Sequence, residues 1–246
     1  MPQNGFHGLV GLATARLFSR RVPVPLGDAF AGAIVLGAML PDIDAYPTAI
    51  AFLIKPGLTY VIHRSFTHSL LAILLVLAAG SLLQRRTPGI RTVCLGLAIG
   101  MLTHDLLDMV FWFAQIRFLW PLEYISPGHP ELILNLWQGW KPPTLVLNIR
   151  EACEYLAFAL LLLSLRRIAF GSGADPAVVI KIRRVEIASW AYFGVTLTTA
   201  FLLSESWQNV VVTAPYLVFF LPFCWISALR LRAEIRRWSE PELVKN

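Results

Sequence analysis

Apolar residues run through this chain in long blocks rather than on one face of short elements. Residues 65–84 carry no formal charge and are interrupted only by His68. Residues 187–204 and 206–229 are likewise uncharged. Each block reaches the roughly 20 residues that cross a bilayer as a helix. Residues 92–116 are as long but carry His104, Asp105 and Asp108. Residues 155–165 are strongly apolar and extend back through Ile149, whereas 29–40 and 8–18 are shorter and suit tilted, partial or internally packed helices. Pro23, Pro25 and Gly27 punctuate the link between the last two. The pattern predicts an all-α, polytopic membrane bundle of six to seven transmembrane helices.

Composition points the same way. Of 246 residues, 57% are hydrophobic and 15% charged, against roughly 25% charged in soluble domains. A soluble fold of this size has too little interior for that apolar surface, which excludes disorder and an ordinary cytosolic domain. Cys94, Cys153 and Cys224 lie far apart in apolar stretches, with no CxxC, and read as small buried hydrophobes.

The net charge of +6 has a position as well as a size. Arg85, Arg86 and Arg91 share one connection; Arg166, Arg167, Lys181, Arg183 and Arg184 share another; Arg230, Arg232, Arg236 and Arg237 mark the tail. Basic clusters beside apolar runs are orientation signals, so these are read as cytoplasmic and no nucleic-acid partner is expected. The resulting topology has seven spans in the cell (inner) membrane, the N-terminus outside and the C-terminus cytoplasmic. No lysine or arginine precedes the first apolar run, so the first segment is read as retained rather than as a signal peptide, and His7 with it.

Four of the five histidines fall in the first 104 residues, beside aspartates. The strings are Gly5-Phe6-His7-Gly8, Leu40-Pro41-Asp42-Ile43-Asp44, His63-Arg64-Ser65-Phe66-Thr67-His68-Ser69 and His104-Asp105-Leu106-Leu107-Asp108. Taken singly, a helical His is a packing residue and an Asp beside Pro is a turn or cap. Depth joins them. His7 precedes Arg20, and His104 follows Arg91, by 13 residues, which at about 1.5 Å per residue puts both roughly 20 Å from the cytoplasmic boundary. His68 and Asp42 fall at a similar level, toward the outer face. Ionisable groups at such depth need partners or a purpose.

The spacing suits metal ligation. His104 and Asp108 stand at i and i+4 on one helix face, with Asp105 turned about 100° away. Asp42 and Asp44 would face the same way if the segment after Pro41 were extended. His63 and His68 are five apart, wrong for one face, so a helix is expected to begin between them. Imidazole and carboxylate donors suit zinc, and also manganese or iron. The first-ligand set is His7, Asp42, Asp44, His63, His68, His104 and Asp108. It exceeds one tetrahedral site, so two divalent ions are expected, with Asp42, Asp44 or Asp108 bridging. Such pairs clamp phosphoryl groups and lower the pKa of water.

In combination these strings, with Leu119-Trp120-Pro121-Leu122, resemble the YdjM-type membrane-bound metal-dependent hydrolases of bacteria and archaea, over roughly residues 1–125. Ser65 stands where that family usually has glycine and Asp105 where proline is common. The resemblance implies a hydrolase without specifying its substrate. More distantly, the ligand order is similar to the zinc phospholipase C and single-strand nuclease group, a fold-level analogy. The later ligands of that group have no clear match here, although His129, Glu151 and Glu154 follow.

Within this reading residues 1–125 form the metal-site half, and 126–246 the scaffold helices and basic tail, of a single membrane domain. Arg64 would clamp phosphate or anchor at the interface. Thr67 and Ser69 would orient ligands from outside, or Thr67 would cap a helix. Asp105 is a candidate general base and Asp44 a catalytic carboxylate. Glu151 and Glu154 would border the site or pair with Arg150, and His129 is read as a loop residue. The aromatic stretch Phe111, Trp112, Phe113, Phe118, Trp120, Trp137 and Trp140 is an interfacial belt or the entry for a lipid. The expected activity is hydrolysis of an ester or phosphoester of a lipid or lipid-linked substrate at the outer membrane face, among membrane lipids as partners. A metal-ion transporter and a non-catalytic metal-stabilised scaffold are the alternatives. A transporter would want polar residues toward both faces, and the inner halves of these spans are apolar.

Overall fold

The computed structural model describes residues 4–21, 28–55, 62–63, 65–111, 116–122 and 142–239. Arg64, His129, Trp112, Phe113, Trp137 and Trp140 lie outside the described residues, and so do the roles expected of them. Every described element is helical. In chain order they are α1 (Asn4–Arg21), α2 (Asp28–Met39), a 3₁₀ turn (Pro41–Asp44), α3 (Ala45–Ile54) and a second 3₁₀ turn (Phe66–His68). Then come α4 (Leu70–Leu83), α5 (Ile90–Phe111), α6 (Thr144–Gly171) and α7 (Pro176–Ala200). The chain ends in α8 (Glu205–Pro215), a π turn (Tyr216–Phe220), α9 (Leu221–Arg230) and α10 (Arg232–Ser239).

Two helical stretches among the described residues are long and apolar enough to cross a membrane, Ile90–Val110 and Glu205–Arg230. A third is added if Ala29–Met39 and Pro41–Ala51, bent by 45°, count as one broken span. The bend has a local cause. Pro41 has no N–H to continue the ladder, and the bonds tighten to Leu40 N–H to Gly37 O and Ile43 N–H to Leu40 O. Elsewhere the elements depart from the expected blocks. The apolar run 65–84 begins as a 3₁₀ turn and becomes α-helix only at Leu70, where Ser69 Oγ accepts from Ala72 N–H. Of the helix expected across 92–116, the described part runs over Ile90–Phe111, and the helix expected over 187–204 starts earlier and stops at Ala200.

The main core gathers α1, α2, α6, α7 and the C-terminal helices around Ile34, Met39, Phe158, Leu162 and Tyr216. A smaller cluster of Ala72, Ile73, Ala98 and Met101 joins α4 to α5. Helices α2 and α5 touch backbone to backbone. A Cβ placed on Gly100 would lie 2.3 Å from Ile34 O and one on Gly37 2.3 Å from Leu97 O, so only glycine fits there. Small residues four apart, Gly96 and Gly100, permit this approach, as in membrane helix pairs generally. One turn further along α5 stands His104. At the opposite end of α1 and α2 the basic tail docks, with Arg16 over the Trp238 ring at 4.7 Å and Arg232 against Gly32.

Candidate metal centre

Four separate pieces of backbone deliver the ionisable side chains to one place. The first turns of α1 carry His7. The Gly100 contact sets His104 beside the end of α2, where its Nδ1 donates to Ala38 O at 2.8 Å. Asp108 follows on the same face of α5. The Pro41–Asp44 turn supplies both aspartates. It is not extended: in a 3₁₀ helix residues two apart are turned about 120° from each other. Asp42 and Asp44 therefore reach opposite nitrogens of the His68 ring, Nε2 and Nδ1, while their oxygens stay close enough to share an ion with His63. His68 ends the Phe66–His68 turn, with His63 arriving before it from an earlier segment. The Leu119-Trp120-Pro121-Leu122 segment has a role beside it, because Phe118 O accepts from Leu70 N–H at 2.9 Å and Trp120 packs edge-on against Phe66.

His7, Asp42, Asp44, His68, His104, Asp105 and Asp108 are all buried. His63 is the most exposed of the group, with 20% of its side chain accessible. His68 Nε2 and His104 Nε2 are 3.1 Å apart. Asp42 Oδ1 lies 3.6 Å from the first and 3.7 Å from the second. Asp108 Oδ2 is 3.8 Å from each. Ligand atoms about 2.1 Å from an ion at the centre of a tetrahedron are about 3.4 Å from one another. Each aspartate oxygen thus stands at close to the right spacing from the two imidazoles, with Asp42 and Asp108 falling in different groups of three.

The tautomers sharpen the point, since they follow from hydrogen-bond partners. Ala38 O is acceptor only, so His104 Nδ1 carries the hydrogen and Nε2 a lone pair. His68 Nδ1 faces Asp44 Oδ2 at 3.4 Å and Thr67 Oγ1 at 3.1 Å, so in the neutral ring the hydrogen sits on Nδ1 and Nε2 carries the lone pair as well. Two lone pairs and two carboxylate oxygens converge, an arrangement that repels itself without a cation among them. The donors therefore fit a divalent metal ion. Backbone carbonyl and carboxylate partners behind the two imidazoles are the supports that metal-binding histidines commonly have.

His7 sits at the edge of this set. Its Nε2 is 3.0 Å from Asp108 Oδ1, without the alignment of a hydrogen bond. Three overlapping groups have ligand atoms close enough to hold an ion: His7, Asp42 and His104; His68, His104 and Asp108; Asp42, Asp44 and His63. Asp44 is also the hub of the outer bonds, 2.8 Å from His63 Nδ1 and accepting from Thr67 Oγ1 at 3.0 Å. Thr67 thus bonds Asp44 and His68 rather than capping α4, while Ser69 is the cap. Neither carboxylate oxygen of Asp105 has a hydrogen-bond partner, and Asp105 belongs to none of the three groups.

Glu151 lies 3.8 Å from Arg150, as one of its two expectations had it. Glu154 does something the sequence did not signal: its Oε1 accepts from the backbone N–H of Gly5, on α1, at 2.8 Å. Beside it, Asn4 Nδ2 donates to Tyr216 OH in the π turn at 2.5 Å. No sequence pattern could have paired residues this distant.

An all-helical membrane protein with a buried histidine–aspartate cluster is thus the class that fold and site define. The chain belongs to the YdjM inner membrane protein family, whose match extends over residues 1–174. It is 31% identical over 132 residues to the inner membrane protein YdjM of Escherichia coli (strain K12), covering 46% of this chain and 67% of that one. The protein of the same name from Shigella flexneri is equally similar. No solved structure matches. Membership and apolar helices together support an inner membrane location.

Proposed function

We propose that this protein is a membrane-embedded, metal-dependent hydrolase cleaving an ester or phosphoester bond of a lipid or lipid-linked substrate at the outer membrane face. The observation that carries the reading is the convergence of bare His68 Nε2 and His104 Nε2 with Asp42 and Asp108 oxygens. In this proposal those four residues hold a tight ion, zinc first among candidates, and Asp42 is shared with a second, weaker ion at Asp44 and His63. Such ions polarise a phosphoryl or carbonyl oxygen and lower the pKa of water. The chain's own contribution is to fix the imidazole tautomers through Ala38 O and Asp44, and to exclude bulk water from the inner ligands. Asp105, buried without a hydrogen-bond partner beside His104, is the proposed general base. The basic connections face the cytoplasm in this scheme and six to seven helices cross the bilayer. Docking of the basic tail at the far end of α1 from His7 supports the site's outward placement.

The test is elemental analysis of the purified protein, followed by phospholipid and phosphodiester cleavage with and without chelator, with His104→Ala as control. Bound metal and chelator-sensitive turnover are expected; a metal-free protein in metal-replete medium overturns the reading. The burial of His7, Asp42, His68 and His104 favours a second reading, a closed structural site. That reading is preferred if metal is present, removal unfolds the protein and no ester or phosphodiester is cleaved.

A further inference from the structure

From the Glu154–Gly5 contact we infer that Glu154 is a positioning residue for the candidate metal centre, acting through His7. This inference rests on the metal-binding reading above. Glu154 is buried in the middle of the protein, where a carboxylate is costly unless it meets positive charge or hydrogen-bond donors. It meets the start of α1. The first N–H groups of a helix have no partner within it, and together they carry the positive end of the helix dipole. Glu154 Oε1 takes the N–H of Gly5, so a side chain of α6 caps α1 across the interface.

The contact depends on close packing. A Cβ on Gly5 would lie 2.6 Å from Phe158 N and 3.1 Å from Glu154 O, so only glycine lets the α1 backbone approach α6 this far. On its other side α1 is held by the Asn4–Tyr216 bond. Two residues after the capped N–H, within the same turn, comes His7. Its ring stacks on His104, and its Nε2 is 3.0 Å from Asp108 Oδ1. A shift of about 1 Å at the start of α1 would carry that nitrogen out of range of the ligands. The scaffold half of the chain thereby sets the position of a ligand in the other half.

The experiment measures zinc affinity of the full-length protein in detergent by competition with a chromophoric chelator, for Glu154→Gln, Glu154→Leu, His7→Ala and His7→Ala/Glu154→Leu. Glutamine keeps an acceptor oxygen for Gly5 N–H and should remain within about threefold of the wild type. Leucine removes the acceptor and should weaken binding by about 10- to 100-fold, the range for outer supports of metal ligands. With His7 already removed, adding Glu154→Leu should weaken binding by less than about threefold more. Full additivity of the two substitutions, or wild-type affinity in Glu154→Leu, overturns the inference. If Glu154→Leu does not fold, Gly5→Ala tests the same contact, with weakened zinc binding expected and unchanged affinity overturning it. Wild-type protein that binds no zinc overturns the underlying metal reading instead, so the two failures are distinguishable.

Discussion

His7 and His104 lie with their rings stacked, centroids 3.7 Å apart and planes inclined by 22°, although 97 residues of chain separate them. His7 also meets the edge of Phe6, and His104 that of His68. Both are drawn to the same carboxylates: His7 to Asp108 and His104 to Asp42 and Asp108. If an ion sits among them, removing one of the central ligands should be felt by the whole set. His104→Ala and Asp108→Ala should each lose the tight equivalent of metal while still inserting into the membrane. Elemental analysis of the two purified variants checks this, and full metal in both would dismiss the assignment.

Asp44 has a different position, bonded to His63 and Thr67 and only touching His68 from behind. Asp44→Asn should remove the second, weaker equivalent and reduce affinity at the tight site by no more than about 10- to 100-fold. Titration of apoprotein with zinc separates the two effects. Loss of the tight equivalent altogether would place Asp44 among its direct ligands.

Chelation should destabilise the protein measurably. Ligand bound only to the folded state stabilises it by about 4 kcal/mol at a thousandfold excess over Kd. Removing metal also leaves Asp42, Asp108 and two facing nitrogen lone pairs together in a dry interior. The thermal unfolding midpoint in detergent should fall with chelator and recover when zinc is restored. An unchanged midpoint would mean that the cluster holds no ion under those conditions.

Asp105 separates binding from catalysis. Asp105→Asn should retain the metal content of the wild type while abolishing any chelator-sensitive hydrolysis. The substitution also removes a buried carboxylate with no hydrogen-bond partner, so the unfolding midpoint should hold or rise. Lost metal would instead make Asp105 a ligand.

Glycine supplies a control for the fold itself. Gly100→Ala drives a methyl into Ile34 O and should cost at least about 1–3 kcal/mol, the usual penalty of overpacking. Gly194→Ala, on α7 with nothing within 4 Å of the added atom, should be neutral or gain up to about 1 kcal/mol from helix propensity. Thermal midpoints of the pair measured side by side settle whether the α2–α5 approach is as tight as described. Because His104 lies one turn beyond Gly100, its variant should also lower zinc affinity.

Hydropathy alone decides that this chain is helical and membrane-bound, because a long uncharged block has no other stable state in lipid. The strings around His7, Asp42, His68 and His104 were also legible, since ionisable residues in apolar surroundings are too expensive to be incidental. What could not be read was direction. Asp42 and Asp44 look like a pair facing one way from an extended strand, but the backbone after Pro41 winds into a 3₁₀ turn and they meet the His68 ring at opposite nitrogens. Thr67 looks like a cap until Ser69 takes that place and Thr67 turns to Asp44. Most of all, the bond from Glu154 to Gly5 depends on two helices 149 residues apart in sequence meeting at a glycine. Sequence determines what each segment must bury, through the transfer energy of its side chains. Only the tertiary fold decides which buried groups meet, because that depends on how closely the backbones can approach.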